Sequence, residues 1–191
     1  MAGTTGRQVD QRVVERARSG DRGAYEELAR ASAHRLYAIA YHITRDADRA
    51  EDAVQGALIA MWRDLPSLRD AARFEAWTYR LVANASFQEL RRRRQARVTP
   101  ISPEVIAAGG RDVAADLVLR DQLERGLAGL TPDHRAIVAL RHLAGLSIDE
   151  VAEVLAIPRG TVASRLHHAT RALRAAIDAD ARPAVAGGQQ A

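Results

Sequence analysis

The sequence predicts an all-α protein: two small helical domains joined by a flexible linker, the C-terminal one a helix-turn-helix. Three observations carry that prediction. Apolar residues recur at helical spacing in almost every segment, and no segment alternates apolar and polar over the length of a strand. All the aromatic residues lie between Tyr25 and Phe87, so the two halves must build different kinds of core. Between the halves, Gln95 to Ala115 holds Pro100, Pro103 and the Gly109-Gly110 pair without sustained periodicity, which is the composition of a linker. The predicted boundaries are a first domain at 1–96, a linker at 97–116, a second domain at 117–178 and a disordered tail at 179–191.

Each helix has its own signal. Val9, Val13, Val14 and Ala17 mark a short first helix, and Leu28, Leu36, Ile39, Ala40 and Ile43 a second. Ala50, Ala53, Val54, Ala57, Leu58 and Met61 form a single apolar stripe on a third. Leu65-Pro66-Ser67 then breaks the chain, and Phe74, Trp77, Leu81 and Ala85 make the stripe of a helix that runs on into Arg91–Arg94. Past the linker, Leu119, Leu123, Leu127 and Leu130 line a helix that stops at Thr131-Pro132, an N-cap and first position for its successor. Gly145 is a natural left-handed helix stop. Ser147-Ile148-Asp149-Glu150 matches a capping box, so another helix starts there. Pro158 fits the first turn of the last helix, which carries Val162, Leu166, Ala169 and Leu173 on one face.

Composition removes several classes of function. With no cysteine among 191 residues, disulfides, thiolate metal sites and a cysteine nucleophile are excluded. The longest uncharged apolar stretch, Ala53 to Trp62, falls well short of the roughly 18 residues a membrane helix needs. The opening Met-Ala-Gly-Thr-Thr-Gly-Arg has no apolar signal core, which makes the cytoplasm the expected location. Hydrolase, P-loop and dinucleotide motifs are missing, and His34, His42, His134, His142, His167 and His168 show no metalloprotease spacing. No catalytic residue, metal ligand or cofactor is expected. The net charge is +4 and all 28 basic residues are arginine, whose guanidinium fork suits phosphates and base edges.

Charge is sorted by helix in the second half. The helix from Ser147 holds three acids and no base, whereas Arg159 to Arg174 holds four arginines and no acid. A short helix, a tight turn and a basic second helix is the arrangement that lays a recognition helix in the major groove. Arg159 and Arg165 suit guanine edges or phosphates. Thr161 and Ser164 are short enough for close contacts, and His168 and Arg171 extend the same surface.

Two further surfaces stand out in the first half. Asp48, Glu51, Asp52 and Gln55 lie on the side of their helix away from the apolar stripe, with Asp52 and Gln55 about one turn apart. On the next helix Trp77, Tyr79, Arg80, Asn84, Phe87, Gln88, Arg91 and Arg92 combine aromatics, amides and guanidinium groups, the residue types that bind unstacked bases. Some of these aromatics must be core. For Trp77 both packing and base contact are compatible with its place on the stripe, whereas Tyr79, Asn84 and Gln88 do not all fit it.

Together these residues resemble the sigma-70 family of bacterial RNA polymerase sigma factors, of the short extracytoplasmic-function (ECF) type. Glu51-Asp52-Ala53-Val54-Gln55 followed by Trp62 is similar to the family's polymerase-binding helix. Phe74, Trp77 and Asn84, ending in Arg91–Arg94, are similar to its promoter-melting and −10-reading helix. Leu130-Thr131-Pro132, Gly145-Leu146-Ser147 and Gly160-Thr161-Val162 with Ser164-Arg165-Leu166 are similar to its −35-binding domain. The chain departs from the family pattern at Gly56, where Glu is usual, at Gln88, where Asp is common, and at Ala156, a turn position that favours glycine.

The resemblance implies that the chain does no chemistry itself and directs core polymerase to promoters. Polymerase would bind through Asp48, Glu51, Asp52 and Gln55. The single-stranded −10 element would bind through Trp77, Arg80, Asn84, Gln88, Arg91 and Arg92. The duplex −35 element would bind through Arg159, Thr161, Ser164, Arg165, His168 and Arg171. An anti-sigma factor is an expected partner, and membrane insertion is not. The alternative reading is a helix-turn-helix regulator that acts without being a polymerase subunit. It leaves the acidic helix and the aromatic–arginine helix without a role.

Overall fold

The computed structural model describes residues 9–95 and 115–180. The described residues form α-helices and two short 3₁₀ turns, with no strand among them. In chain order the helices are α1 (Gln11–Arg18), α2 (Arg22–Thr44), α3 (Ala47–Asp64), α4 (Phe74–Gln95), α5 (Ala115–Ala128), α6 (Pro132–His142), α7 (Ile148–Leu155) and α8 (Arg159–Asp180). The turns at Leu65–Ser67 and Ala71–Arg73 join α3 to α4. Most of the expected linker and tail lies outside the described residues.

Short polar side chains start the helices. Asp10, Asp21 and Asp46 cap α1, α2 and α3, each accepting a backbone N–H of the first turn, and Thr131 does the same for α6 with Pro132 behind it. The capping box of α7 is complete: the Glu150 N–H donates to Ser147 Oγ at 3.2 Å, and the Ser147 N–H donates to Glu150 Oε2 at 2.7 Å. That backbone N–H holds the Glu150 carboxyl below its usual range. Gly145 has φ +73°, the left-handed stop the sequence predicts. Pro158 stands one residue ahead of α8 rather than in its first turn, and its carbonyl accepts the N–H groups of Thr161 and Val162.

Three apolar clusters hold these helices together. Val14, Ala17, Ala24, Leu28, Met61, Leu65, Leu68 and Phe74 join α1 to the start of α2, the end of α3 and the start of α4. Leu127, Leu130 and Ala169 join α5 to α8, with Val138 and Leu173 against them. Gly126 lets α5 and α8 approach closely, since a Cβ there would meet Leu173 Cδ2 at 3.0 Å. The largest cluster spans both halves of the chain. It combines Ile39, Ile43, Ala53 and Val82 with Ile137, Leu140, Val151 and Val154. Within it α2 packs on α6, and α4 packs on both α6 and α7.

The core face of α4 differs from the expected stripe. Its buried residues are Phe74, Thr78, Tyr79, Val82, Ala83 and Ser86, whereas Trp77, Leu81 and Ala85 are only half-buried. The cause is that α4 has neighbours on several sides: α2, α3, α6 and α7 all pack against it. Small side chains at the centre permit this close approach. Ser86 Oγ satisfies itself by donating to the Val82 carbonyl at 2.8 Å.

Polar groups cross the contact between the halves. The Arg135 guanidinium, on α6, donates to the Ile43 carbonyl from Nε at 3.1 Å and from Nη2 at 2.9 Å, and to the Leu130 carbonyl at 2.5 Å. Burial and the nearby Arg45 lower its pKa, but an arginine stays charged at any physiological pH. Arg45, left-handed at the C-cap of α2, pairs with Glu124 of α5. Arg73 reaches Glu153 of α7 at 3.6 Å.

His42, on the last turn of α2, is half-buried, and burial holds its imidazole below its ordinary pKa of about 6.5. The unfolded chain therefore binds that proton more readily than the folded one. Stability should be fully present above about pH 6.5 and fall as pH drops towards the folded value. Thermal melts at pH 7.5 and 5.5 should show that loss in the wild type and a smaller one in His42→Asn. Equal losses in the two proteins would refute the assignment.

Candidate functional site

Three helices present exposed polar faces. On α3 the helical repeat of about 100° per residue places Asp48, Glu51, Asp52 and Gln55 within one narrow arc opposite the buried Ala50, Ala53, Ala57 and Met61. All four are exposed. Ile59 and Trp62 continue the same arc towards the C-terminal end, and they are 68% and 50% exposed. Trp62 leans edge-on against Tyr25, with ring centroids 4.7 Å apart, and the Tyr25 hydroxyl donates to the Leu58 carbonyl. The face is thus acidic at one end and apolar at the other.

On α4, Trp77, Arg80, Asn84, Gln88, Arg91 and Arg92 fall within an arc of about 120°, away from Tyr79, Val82 and Ser86. Arg80, Asn84, Gln88, Arg91 and Arg92 are exposed. Trp77 is half-buried in the middle of that face, tilted against Phe74 at 6.2 Å between centroids. Arg92 pairs with Glu89 at 2.5 Å. Tyr79 does not belong to this surface. It is buried, which raises its phenol pKa, and its oxygen accepts a hydrogen bond from Arg35 at 3.1 Å. Arg35 also binds Glu75, so this residue set ties α2 to α4. Phe87 is likewise half-buried against the largest core cluster.

In the second half, α7 and α8 form the helix-turn-helix, with Val151, Val154 and Val162 buried in it. Ala156 makes the turn between them at φ +52°, a left-handed conformation that costs an alanine about 1–2 kcal/mol. Thr161, Ser164, Arg165, His168 and Arg171 share one outward arc of α8. Arg159 sits apart from that arc at the start of the helix, where its Nε meets Asp149 of α7 at 2.7 Å. Arg165 is 3.4 Å from Asp133 of α6. Ser164 Oγ donates to the Thr161 carbonyl at 3.1 Å. Exposed pairs of this kind contribute at most about 1 kcal/mol, so phosphates or base edges can displace the acids at small cost.

Among the described residues no group of three or more His, Asp or Glu side chains is placed to hold a metal. No described helix is long and apolar enough to cross a membrane.

The family model described as sigma-70 region 2 matches residues 28–96, and the one described as sigma-70, region 4 matches residues 126–175. This chain belongs to the sigma-70 family. The ECF RNA polymerase sigma-E factor of Escherichia coli strain K12 is 32% identical over 189 residues, covering 93% of this chain and 96% of that protein. The ECF RNA polymerase sigma factor SigE of Mycolicibacterium smegmatis is 30% identical over 164 residues, 82% of this chain, and the match spans 63% of that longer protein. The solved structure of CnrH in complex with the cytosolic domain of CnrY is similar at a TM-score of 0.66 and 26% identity, covering 90% of this chain and 98% of that one.

In sigma-70 terms, α3 and α4 lie in region 2, and α6, α7 and most of α8 in region 4. Ile59 was not among the residues singled out from sequence, although its spacing of four from Gln55 was a legible signal. The acids opposite the arginines, Asp133 and Asp149, were missed because they come from other helices and pair only in the fold. The turn at Ala156 gives a direct check. Ala156→Gly should relieve the left-handed strain, against a smaller loss from the more flexible unfolded chain. A net gain of about 0.5–1 kcal/mol is expected in urea unfolding, and no gain would show the turn to be unstrained.

Proposed function

We propose that this sigma factor divides its work among the three faces just described. The outer face of α3, with Asp48, Glu51, Asp52 and Gln55, docks on core RNA polymerase, and the exposed Ile59 and Trp62 extend that surface. The outer face of α4 holds the unpaired −10 strand: Trp77 offers a ring for stacking, Asn84 and Gln88 offer amides to base edges, and Arg80, Arg91 and Arg92 track phosphates. The face of α8 enters the major groove of the −35 duplex through Thr161, Ser164, Arg165, His168 and Arg171, and Arg159 adds a contact from the start of the helix. The protein supplies sequence specificity to an enzyme and performs no chemistry of its own, and it works in the cytoplasm.

The observation that carries this reading is the face of α4. Six residues suited to bases and phosphates share one arc of a helix outside the helix-turn-helix. A regulator that reads only duplex DNA has no use for that face. An anti-sigma factor is a further proposed partner, since a structure of similar fold is that of the sigma factor RpoE in complex with the anti-sigma factor NepR from Bartonella quintana.

Two substitutions separate the surfaces. Arg165→Ala should weaken binding to a −35 duplex roughly tenfold and lower the salt slope by about one. Affinity and slope equal to wild type would remove Arg165 from the interface. Asp52→Arg should abolish co-purification with core polymerase while the helical circular dichroism and melting temperature stay as in wild type. Normal holoenzyme assembly would mean that the face is merely solvated.

A further inference from the structure

Arg159 is the first residue of α8, and the acid beside it comes from a different helix, α7. We propose that Asp149 is a positioning residue for base readout: it holds the Arg159 guanidinium so that the cation forks onto a guanine rather than clamping a phosphate. The proposal rests on the assignment of α8 to the −35 duplex made under Proposed function.

The pairing is one-sided. Asp149 Oδ1 approaches Arg159 at Nε, 2.7 Å away, and neither Nη group makes a hydrogen bond among the described residues. The two Nη groups are a pair of parallel donors that matches guanine O6 and N7. A guanine can therefore bind without displacing the acid. A phosphate gains less, because Asp149 already offsets the cation and stays beside the DNA backbone as a like charge. When the duplex covers this end of α8 and water leaves, the pair of Arg159 and Asp149 tightens rather than loosens.

The other arginines of α8 provide the contrast. Arg165 meets Asp133 through Nη1 at 3.4 Å, so its acid lies at one tine of the fork and has to yield on binding. Arg171 has no ion pair among the described residues, which suits a phosphate. Arg159 alone combines a carboxylate at Nε with a place at the start of the recognition helix, the end that meets base edges in helix-turn-helix proteins.

The surroundings leave room for that contact. Gly160 follows Arg159, and a Cβ there would meet nothing within 4 Å, so packing within the fold does not require a glycine at this exposed position. Its missing side chain keeps the start of α8 open to close approach. Asp149 is itself well anchored. It lies in the first turn of α7, whose backbone the Ser147–Glu150 capping box fixes, and it takes no part in that box. Asp149→Asn therefore removes the charge and leaves the cap intact.

The test uses full-length protein assembled with core polymerase, incubated with promoter duplexes randomised across the −35 element, and the bound fraction is sequenced. Wild type should enrich guanine at one base pair whose preference Arg159→Ala removes. Asp149→Asn should lower that preference about fivefold or more and leave the preferences at the other base pairs as in wild type. It should bind duplexes with another base at that pair no more weakly than wild type does. In the Arg159→Ala background the same substitution should change nothing at that pair, because Asp149 acts only through the guanidinium. An unchanged preference in Asp149→Asn, a loss spread over every base pair, or an effect at that pair that persists without Arg159 would each overturn the role of Asp149. So would an Arg159→Ala protein with no altered base pair, since the fork would then read no base. A wild-type holoenzyme that enriches no sequence would instead overturn the −35 assignment, and the role of Asp149 with it.

Discussion

A single guanidinium sets the arrangement of the molecule. Arg135 is buried with its charge, and that is tolerable only because two carbonyls, from Ile43 and Leu130, accept its N–H groups. The Ile43 carbonyl lies at the C-terminal, negative end of α2, so the helix dipole adds to the hydrogen bonds. Once α6 is seated there, α7 comes to rest on α4 and the largest apolar cluster runs unbroken from Leu36 to Val162. The position of α8 relative to α4 follows from that polar contact together with the apolar cluster around it.

The functional faces depend on the same packing from the other side. Because α4 has neighbours over much of its circumference, most of its exposed residues fall on one arc, which carries Arg80, Asn84, Gln88, Arg91 and Arg92 with the half-buried Trp77 among them. α8 presents its basic arc because Val162 and Ala169 hold the opposite side in the core. A strained turn at Ala156 and a complete capping box at Ser147 fix where α7 ends and begins. The sigma-70 region 2 match covers α3 and α4, and the region 4 match covers α6, α7 and most of α8.

Much of this was legible in the sequence, because helix starts and stops are local chemistry. Thr131-Pro132, the Ser147–Glu150 box, the Gly145 stop and the stripe of α3 all depend on residues within one turn of each other. The face of α4 was harder. Phe74, Trp77, Leu81 and Ala85 make a plausible stripe by size, but the centre of the contact belongs to Val82, Ala83 and Ser86, and large aromatics mark the edge. Tyr79 lies off the stripe of Phe74, Trp77 and Leu81, and its hydrogen-bond partner, Arg35, is 44 residues away. The same limit hid the closure of the halves: Arg135 and Ile43 are 92 residues apart, and nothing near either position announces the other.

The closed arrangement is the claim on which the account turns, and a direct distance measurement tests it. Spin labels placed at the exposed Ala72 and Ala128, one in each half, report separation without touching any proposed interface. Pulsed electron–electron resonance should give one short, narrow distance for the free protein and a distance longer by several tens of ångströms in the promoter-bound holoenzyme. The same narrow distance in both states, or a broad long one in the free protein, would contradict it.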